Sequence, residues 1–348
     1  MTPDQLASLR AEYPNDQPHG IRDPLFQKAA GLAFKGSGQR KLPYSGIATL
    51  IGAPYAPHAQ EQADFGGLQV ALVGVPMDLG VTNRGGARFG PRAIRNVERI
   101  GPYNHVLKVS PMAELRIADI GDVPFTTRFD LAQSHADIEA FYTRLAEAGV
   151  MPLSAGGDHS ITGPILKALG ARRPVGMVHI DAHCDTSGVY DGTKFHHGGP
   201  FRQAVLDGVL DPERTIQIGI RGPGEYLWEF SAASGMTVIH AEEIDRMGVD
   251  AIVARARAVV GDEPFYLSFD VDGIDPAFTP GTGTPEVGGL TPREAQAILR
   301  GLVGLAIIGG DVVEVAPSYD PTTVTAQVGA NMMFEIASLM ALAPPDRS

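Results

Sequence analysis

The sequence predicts an α/β protein with a mostly parallel sheet, on three observations. Short apolar runs rich in β-branched residues recur along the chain, amphipathic stretches alternate with them, and polar residues cluster directly after the runs. Strands buried on both faces show no polar alternation. That is the pattern of 68–76 (LQVALVGVP), 150–155 (VMPLSA), 175–180 (VGMVHI), 215–220 (TIQIGI), 264–269 (PFYLSF) and 306–315 (AIIGGDVVEV). Helices are predicted between them. In 130–149, Leu131, Ile138, Phe141 and Leu145 fall close to one helical face and Gly149 follows as a stop. In 291–304, Thr291 is placed to cap a helix, Pro292 takes its first position and Glu294 completes a capping box.

The 348 residues carry 28 Lys and Arg against 40 Asp and Glu, a net charge of −12, which argues against a nucleic-acid binder. Apolar residues make up 44% of the chain, enough for a large core, and exclude disorder as the main state. Cys184 is the one cysteine, so there is no internal disulfide. It reads as a small core residue. No apolar run approaches the roughly 20 residues of a membrane helix. The first residues hold no apolar signal core, so a cytoplasmic protein is expected. Residues 1–66 are mixed and turn-rich and read as an irregular N-terminal extension packed over the main domain, with an arm over the site mouth or against a neighbouring subunit as the alternative. Its cluster Lys35, Arg40 and Lys41 reads as a solvated turn. Residues 67–348 read as the α/β domain proper.

In open parallel sheets, ligands bind at the carboxyl ends of the strands, and the polar clusters fall there. The run at 150–155 leads to Gly156-Gly157-Asp158-His159-Ser160, and that at 175–180 to Asp181-Ala182-His183-Cys184-Asp185. The run at 264–269 leads to Asp270-Val271-Asp272, and 306–313 delivers Glu314. If the backbone stays extended, Asp181, His183 and Asp185 face one side, as do Asp270 and Asp272. Gathering such carboxylates without countercharge is very costly, and divalent metal is the economical remedy. The set supplies ligands for two ions, and its oxygen-rich character with two imidazoles suits Mn²⁺, with Ni²⁺, Co²⁺ or Zn²⁺ as other candidates.

At this point GGDHS, DAHCD and SFDVDGIDP, in this order and spacing, resemble the ureohydrolases, the arginase and agmatinase family. The likeness extends to 74–95 (GVPMDLGVTNRGGARFGPRAIR), 117–123, 280–290 and 311–320, and leaves out the N-terminal extension. It implies a three-layer α/β/α sandwich of the arginase type, with 67–348 as the catalytic domain. It implies two metal ions per chain, usually manganese with nickel as the other candidate. His159, Asp181, Asp185 and Asp270 would hold one ion, and Asp181, His183, Asp270 and Asp272 the other. The implied activity is hydrolysis of a guanidino compound to urea and an amine, by attack of a metal-bridging hydroxide on the guanidinium carbon. By the same resemblance Glu314 grips the guanidinium, and a proton passes through Asp272 and His197 to the leaving amine.

The segment GIDPAFTPGTGTPEVGGL is closer to agmatinase-type enzymes than to arginases, which points to an agmatine or guanidinobutyrate type of substrate. Thr186 and Ser187 are candidate substrate contacts, with a turn-capping role as the alternative. His196 reads as a surface or turn residue. Gly199 stands where relatives commonly carry Thr or Gln, which suggests a wider pocket and leaves guanidine, an N-alkylguanidine or a biguanide as an alternative substrate. Tyr190, Tyr226 and Trp228 are candidates for the entrance, with core or surface packing the favoured reading, and Arg202 and Arg221 are candidates for a substrate carboxylate, with a structural salt bridge as the equal alternative. A non-catalytic subunit on the same scaffold is the alternative of another class, and a one-zinc, deacetylase-like hydrolase a further one. Family resemblance also implies a trimer or hexamer, with unlike subunits as a variant.

Overall fold

The computed structural model describes the chain except residues 15–20, 22, 34–41, 99, 223–224 and 346–348, and the side chains of 33, 225 and 226. Lys35, Arg40, Lys41 and the side chain of Tyr226 therefore lie outside the described residues. Eight strands form one parallel sheet: β1 (Val70–Gly74), β2 (Ile117–Asp122), β3 (Met151–Ala155), β4 (Val175–Ile180), β5 (Leu210–Ile220), β6 (Thr237–His240), β7 (Phe265–Asp270) and β8 (Ile307–Val313). Their order is β2-β1-β3-β8-β7-β4-β5-β6. Six of them are the apolar runs of the sequence. β2 and β6 went unread as strands. They are the two edge strands: β6 is only four residues long, and β2 carries Asp119, Gly121 and Asp122 among its six.

Two apolar cores flank the sheet. On one face Ile138, Phe141, Ile165, Leu166 and Phe201 project from helices Leu131–Glu147, Thr162–Leu169 and Pro200–Leu206. On the other, Ile252, Ile298 and Ile336 come from Val249–Val260, Pro292–Gly301 and Val324–Ala341. The result is the three-layer α/β/α sandwich. Thr291 and Glu294 form the capping box expected of them, and Asp130 caps the helix that Leu131 begins.

The first 66 residues are not uniform. The helix Pro3–Glu12 buries none of its residues, whereas Leu50, Ile51 and Ala53 belong to the main core. The join is made by Asp119 on β2, which is fully buried. Its carboxylate accepts from the Leu50 N–H at 2.9 Å, from Arg95 at 2.8 and 3.0 Å and from the Gly121 N–H at 2.9 Å.

Removing one partner of a buried ion pair strands the other charge. Asp119→Ala is therefore expected to lower unfolding stability by about 3 kcal/mol, measured by urea denaturation. A loss below about 1 kcal/mol would show that the pair does not anchor this segment.

Candidate metal centre and active site

Four adjacent strands, β3, β8, β7 and β4, end together. Ala155 pairs with Val312, Val312 with Phe269, and Phe269 with Ile180, so these residues mark one level across the sheet. The next residues along, 156, 313, 270 and 181, open the rim, which brings Asp158, His159, Glu314, Asp270, Asp272, Asp181, His183 and Asp185 together. Only a glycine serves at 157, where a Cβ would stand 1.7 Å from the Met77 carbonyl oxygen.

The donors converge by turns rather than by an extended backbone. β4 stops at Ile180, and the Asp181 Oδ1 accepts the His183 N–H at 2.6 Å. The Asp270 Oδ1 likewise accepts the Asp272 N–H at 2.8 Å, opening a single 3₁₀ turn. Asp185 sits at φ 50° and Glu314 at φ 64°. Side chains strain this left-handed region, and such strain is held by the surrounding structure at functional sites.

Two clusters result. The His159 Nδ1 lies 3.0 Å from an Asp181 oxygen, 3.0 Å from Asp185 and 3.2 Å from Asp270. The His183 Nδ1 lies 3.4 Å from the other Asp181 oxygen and 3.2 Å from Asp272. Asp181 thus faces both clusters with separate oxygens, whereas Asp270 is seen at the first. Burial, then the charges of Asp272 and Asp181, push the Asp270 carboxyl well above its usual range. Asp272 is pushed up to about 6 by burial and by Asp181. Asp181 stays well below that range despite its burial, because His179, His159 and His183 surround it.

Beneath the rim lies a buried polar layer the sequence reading missed. Ser154, Asp311, Ser268, His179 and Gln217 are register partners on β3, β8, β7, β4 and β5, and all are fully buried. The Ser268 hydroxyl donates to Asp311 at 2.8 Å, so its oxygen accepts from the His159 Nε2 at 2.8 Å. The proton of His159 is thereby on Nε2, and Nδ1 is a bare lone pair. That nitrogen is buried without a hydrogen-bond partner while three carboxylates face it. Lone pair against carboxylate is repulsive unless a cation sits between them, so the donor set fits divalent metal. Gln217 does the same for Asp181. Its Nε2 donates to the His179 Nδ1 at 3.1 Å and to the Cys184 carbonyl at 2.6 Å, so the His179 Nε2–H donates to Asp181 at 2.8 Å. A histidine inside an otherwise apolar run was the available signal for His179.

Glu314 and His197 stand beside the clusters. The Glu314 Oε1 accepts the His159 N–H at 2.9 Å and pairs with the His197 Nδ1 at 2.8 Å, while its Oε2 is buried with no partner. Burial opposes a charge on His197, but Glu314 and then Asp185 and Asp158 outweigh it and raise its pKa to about 9. Thr82 touches the His197 Nε2 through its hydroxyl at 2.6 Å. Asp158 holds the Thr82 loop, accepting the Gly80 N–H at 2.8 Å, and the Gly80 carbonyl in turn accepts the His197 N–H at 2.9 Å.

A cavity of about 470 Å³ opens onto this rim, lined by His183, Asp185, Ser187, Tyr190, His197 and Trp228 among others. Several expectations are corrected. Thr186 lies outside the cavity lining. It is buried, and its hydroxyl is used on the Ser231 hydroxyl at 2.9 Å and the Leu227 carbonyl at 3.3 Å. Arg221 is a staple, with its guanidinium spread over the carbonyls of Gly219, Asp272, Gly273, Ile274, Glu286 and Val287. Arg202 stacks on Phe230 at 4.8 Å beside a different cavity. His196 opens a turn, as one half of its reading had it, with its carbonyl accepting the Gly199 N–H at 3.1 Å, but it is only 4% exposed rather than on the surface. Its Nε2 lies 3.0 Å from where a Cβ of residue 199 would stand, so the imidazole fills the room that Gly199 leaves. Cys184 is buried as expected, which pushes its thiol up to about 12.

Residues 68–338 match the model described as Arginase family. Guanidinopropionase of Pseudomonas aeruginosa is 49% identical over 304 residues, spanning 86% of this chain and 93% of that protein. Guanidinobutyrase of the same organism is 45% identical over 308 residues, spanning 87% and 95%. Among solved structures, proclavaminate amidino hydrolase from Streptomyces clavuligerus superposes with a TM-score of 0.81 at 35% identity, covering 86% of this chain and 99% of that one.

Ser268→Ala removes the group that fixes the His159 proton on Nε2. Divalent-ion affinity, titrated calorimetrically, is expected to fall about 10–100-fold with the fold intact. Unchanged affinity would show that Ser268 does not orient His159.

Proposed function

The chain belongs to the arginase family and is an amidinohydrolase of guanidino compounds, and on that premise we propose how its residues carry out the reaction. His159, Asp181, Asp185 and Asp270 hold one divalent ion, and Asp181, His183, Asp270 and Asp272 the other, with Mn²⁺ preferred and Ni²⁺ second. Supporting this is Asp181, whose two oxygens face the two imidazoles at 3.0 and 3.4 Å. Bound there, two such ions supply Lewis acidity and lower the pKa of water from ~15.7 towards ~7.

The remaining work falls to side chains. The unpartnered Oε2 of Glu314 accepts an N–H of the guanidinium, a planar cation whose several donors suit a carboxylate. Two contacts on its Oε1 hold that carboxylate in place before substrate arrives. Protonated His197 delivers its proton to the departing nitrogen, and Asp272, which takes up a proton, restores it to the imidazole. Urea and an amine leave. All six donors are present, so a non-catalytic scaffold is not favoured.

The outer part of residues 1–66 serves as an assembly arm in a trimer or hexamer, its stretch from Leu50 to Ala53 packs into the main core, and 67–348 serve as the catalytic domain. Support comes from Phe26, Tyr44 and Ile47 of the arm, which expose 50%, 70% and 72% of their surface. A cytoplasmic location is the reading we favour. Among the described residues no helix is long and apolar enough to cross a membrane.

Urea release is to be screened with Mn²⁺ and Ni²⁺ over agmatine, 4-guanidinobutyrate, 3-guanidinopropionate and arginine. Absence of urea from every guanidine, in protein holding two ions per chain, would end this reading. Glu314→Gln is expected to lower kcat/KM about 100-fold, at unchanged metal content. His197 works in its protonated form, and its raised pKa keeps that form below about pH 9. The alkaline limb of kcat should therefore fall through about pH 9, and His197→Asn should remove that limb as well as lowering the rate.

A further inference from the structure

His196 lies beside His197 on the cavity wall, and its two ring nitrogens have different fates. The Nε2 meets the Gly188 carbonyl at 2.7 Å. A carbonyl can only accept, so Nε2 carries the proton and Nδ1 is a bare acceptor. That Nδ1 is buried and has no hydrogen-bond partner. It lies on the Gly198 side of the ring, 3.4 Å from where a Cβ of residue 198 would stand, and Gly198 lines the active-site cavity. A buried acceptor left unmatched is costly, which marks it for a donor that arrives with a ligand.

The rest of the wall bears on the nature of that ligand. Among the described residues lining the cavity, the one arginine is Arg221, whose guanidinium is already taken up by main-chain carbonyls. Val189, Tyr190, Leu227 and Trp228 supply apolar and aromatic surface. A substrate carboxylate would find no free cationic side chain among these residues, and the His196 lone pair would repel it. A tail ending in N–H donors would satisfy that lone pair. Gly199 is part of the arrangement, because a Cβ there would stand 3.0 Å from the His196 Nε2 and press on the ring.

We propose that His196 is a specificity-determining residue whose Nδ1 accepts a hydrogen bond from a donor group on the substrate tail, so that the site favours guanidines with an amine-type tail over guanidino acids. This rests on the amidinohydrolase reading and narrows its substrate class.

The test uses the metal-loaded full chain, with agmatine as the donor-tailed probe and 4-guanidinobutyrate as the acid-tailed one. The wild-type protein is expected to show the higher kcat/KM on agmatine. His196→Phe keeps a ring but deletes the acceptor. It is expected to raise the KM ratio of agmatine to 4-guanidinobutyrate about tenfold, with a smaller change in kcat. His196→Asn offers an oxygen near the Nδ1 position and should recover most of the wild-type ratio, which separates lost recognition from lost folding. Urea released faster from 4-guanidinobutyrate by the wild-type protein would overturn the inference and leave the hydrolase reading standing. A KM ratio within twofold of wild type in His196→Phe would also overturn it. No urea from either probe, with both ions bound, would remove the hydrolase reading and this inference together.

Discussion

Four carboxylates brought to one rim repel one another, and the structure around them is organised to hold them there. Asp181, Asp185, Asp270 and Asp272 are all nine-tenths or more buried, so water cannot screen them. Positive charge must come from within, and two histidines with bare or raised nitrogens are not enough to balance four acids. Divalent ions close the balance, and the strained backbones at Asp185 and Glu314 are tolerable because the surrounding contacts over-determine them.

What holds the donors in readiness is the polar layer one level below. Asp311 accepts from Ser268, Thr162 and Tyr266 at 2.7 to 2.9 Å, so β7 and the helix Thr162–Leu169 meet on one carboxylate of β8. Through Ser268 it sets the proton position of His159, and through Gln217 and His179 a parallel chain sets Asp181. Networks of this kind stiffen a core, because their donors are already committed to particular acceptors, although the Gln217 Oε1 is left without a hydrogen-bond partner. The same rigidity extends to Glu314 and His197, which pair at 2.8 Å.

Much of this was legible in the chain. The central strands announce themselves as apolar runs because both of their faces are covered. The donor types follow directly after them, since the carboxyl ends of parallel strands open where the helices do not reach. His179 was also visible, as a histidine within an apolar run, but no local pattern tells a buried orienting group from a ligand. The edge strands β2 and β6 were not legible, since two aspartates and a glycine interrupt the apolar residues of β2 and β6 is only four residues long. The roles of Thr186, Arg221 and His196 were not legible either. Whether a hydroxyl or guanidinium faces a cavity or is used up on carbonyls depends on which loops meet it.

The sequence by itself determined the fold class, the six donor side chains and the family, because apolar periodicity and short motifs are local properties of the chain. Tertiary structure alone decided the rest: the two faces of Asp181, the Glu314–His197 pair across 117 positions, the stapled Arg221 and the imidazole that fills the gap at Gly199. Each of these joins groups far apart along the chain or turned by a loop. Their geometry is set by how the layers close on one another, and no stretch of neighbouring residues contains it.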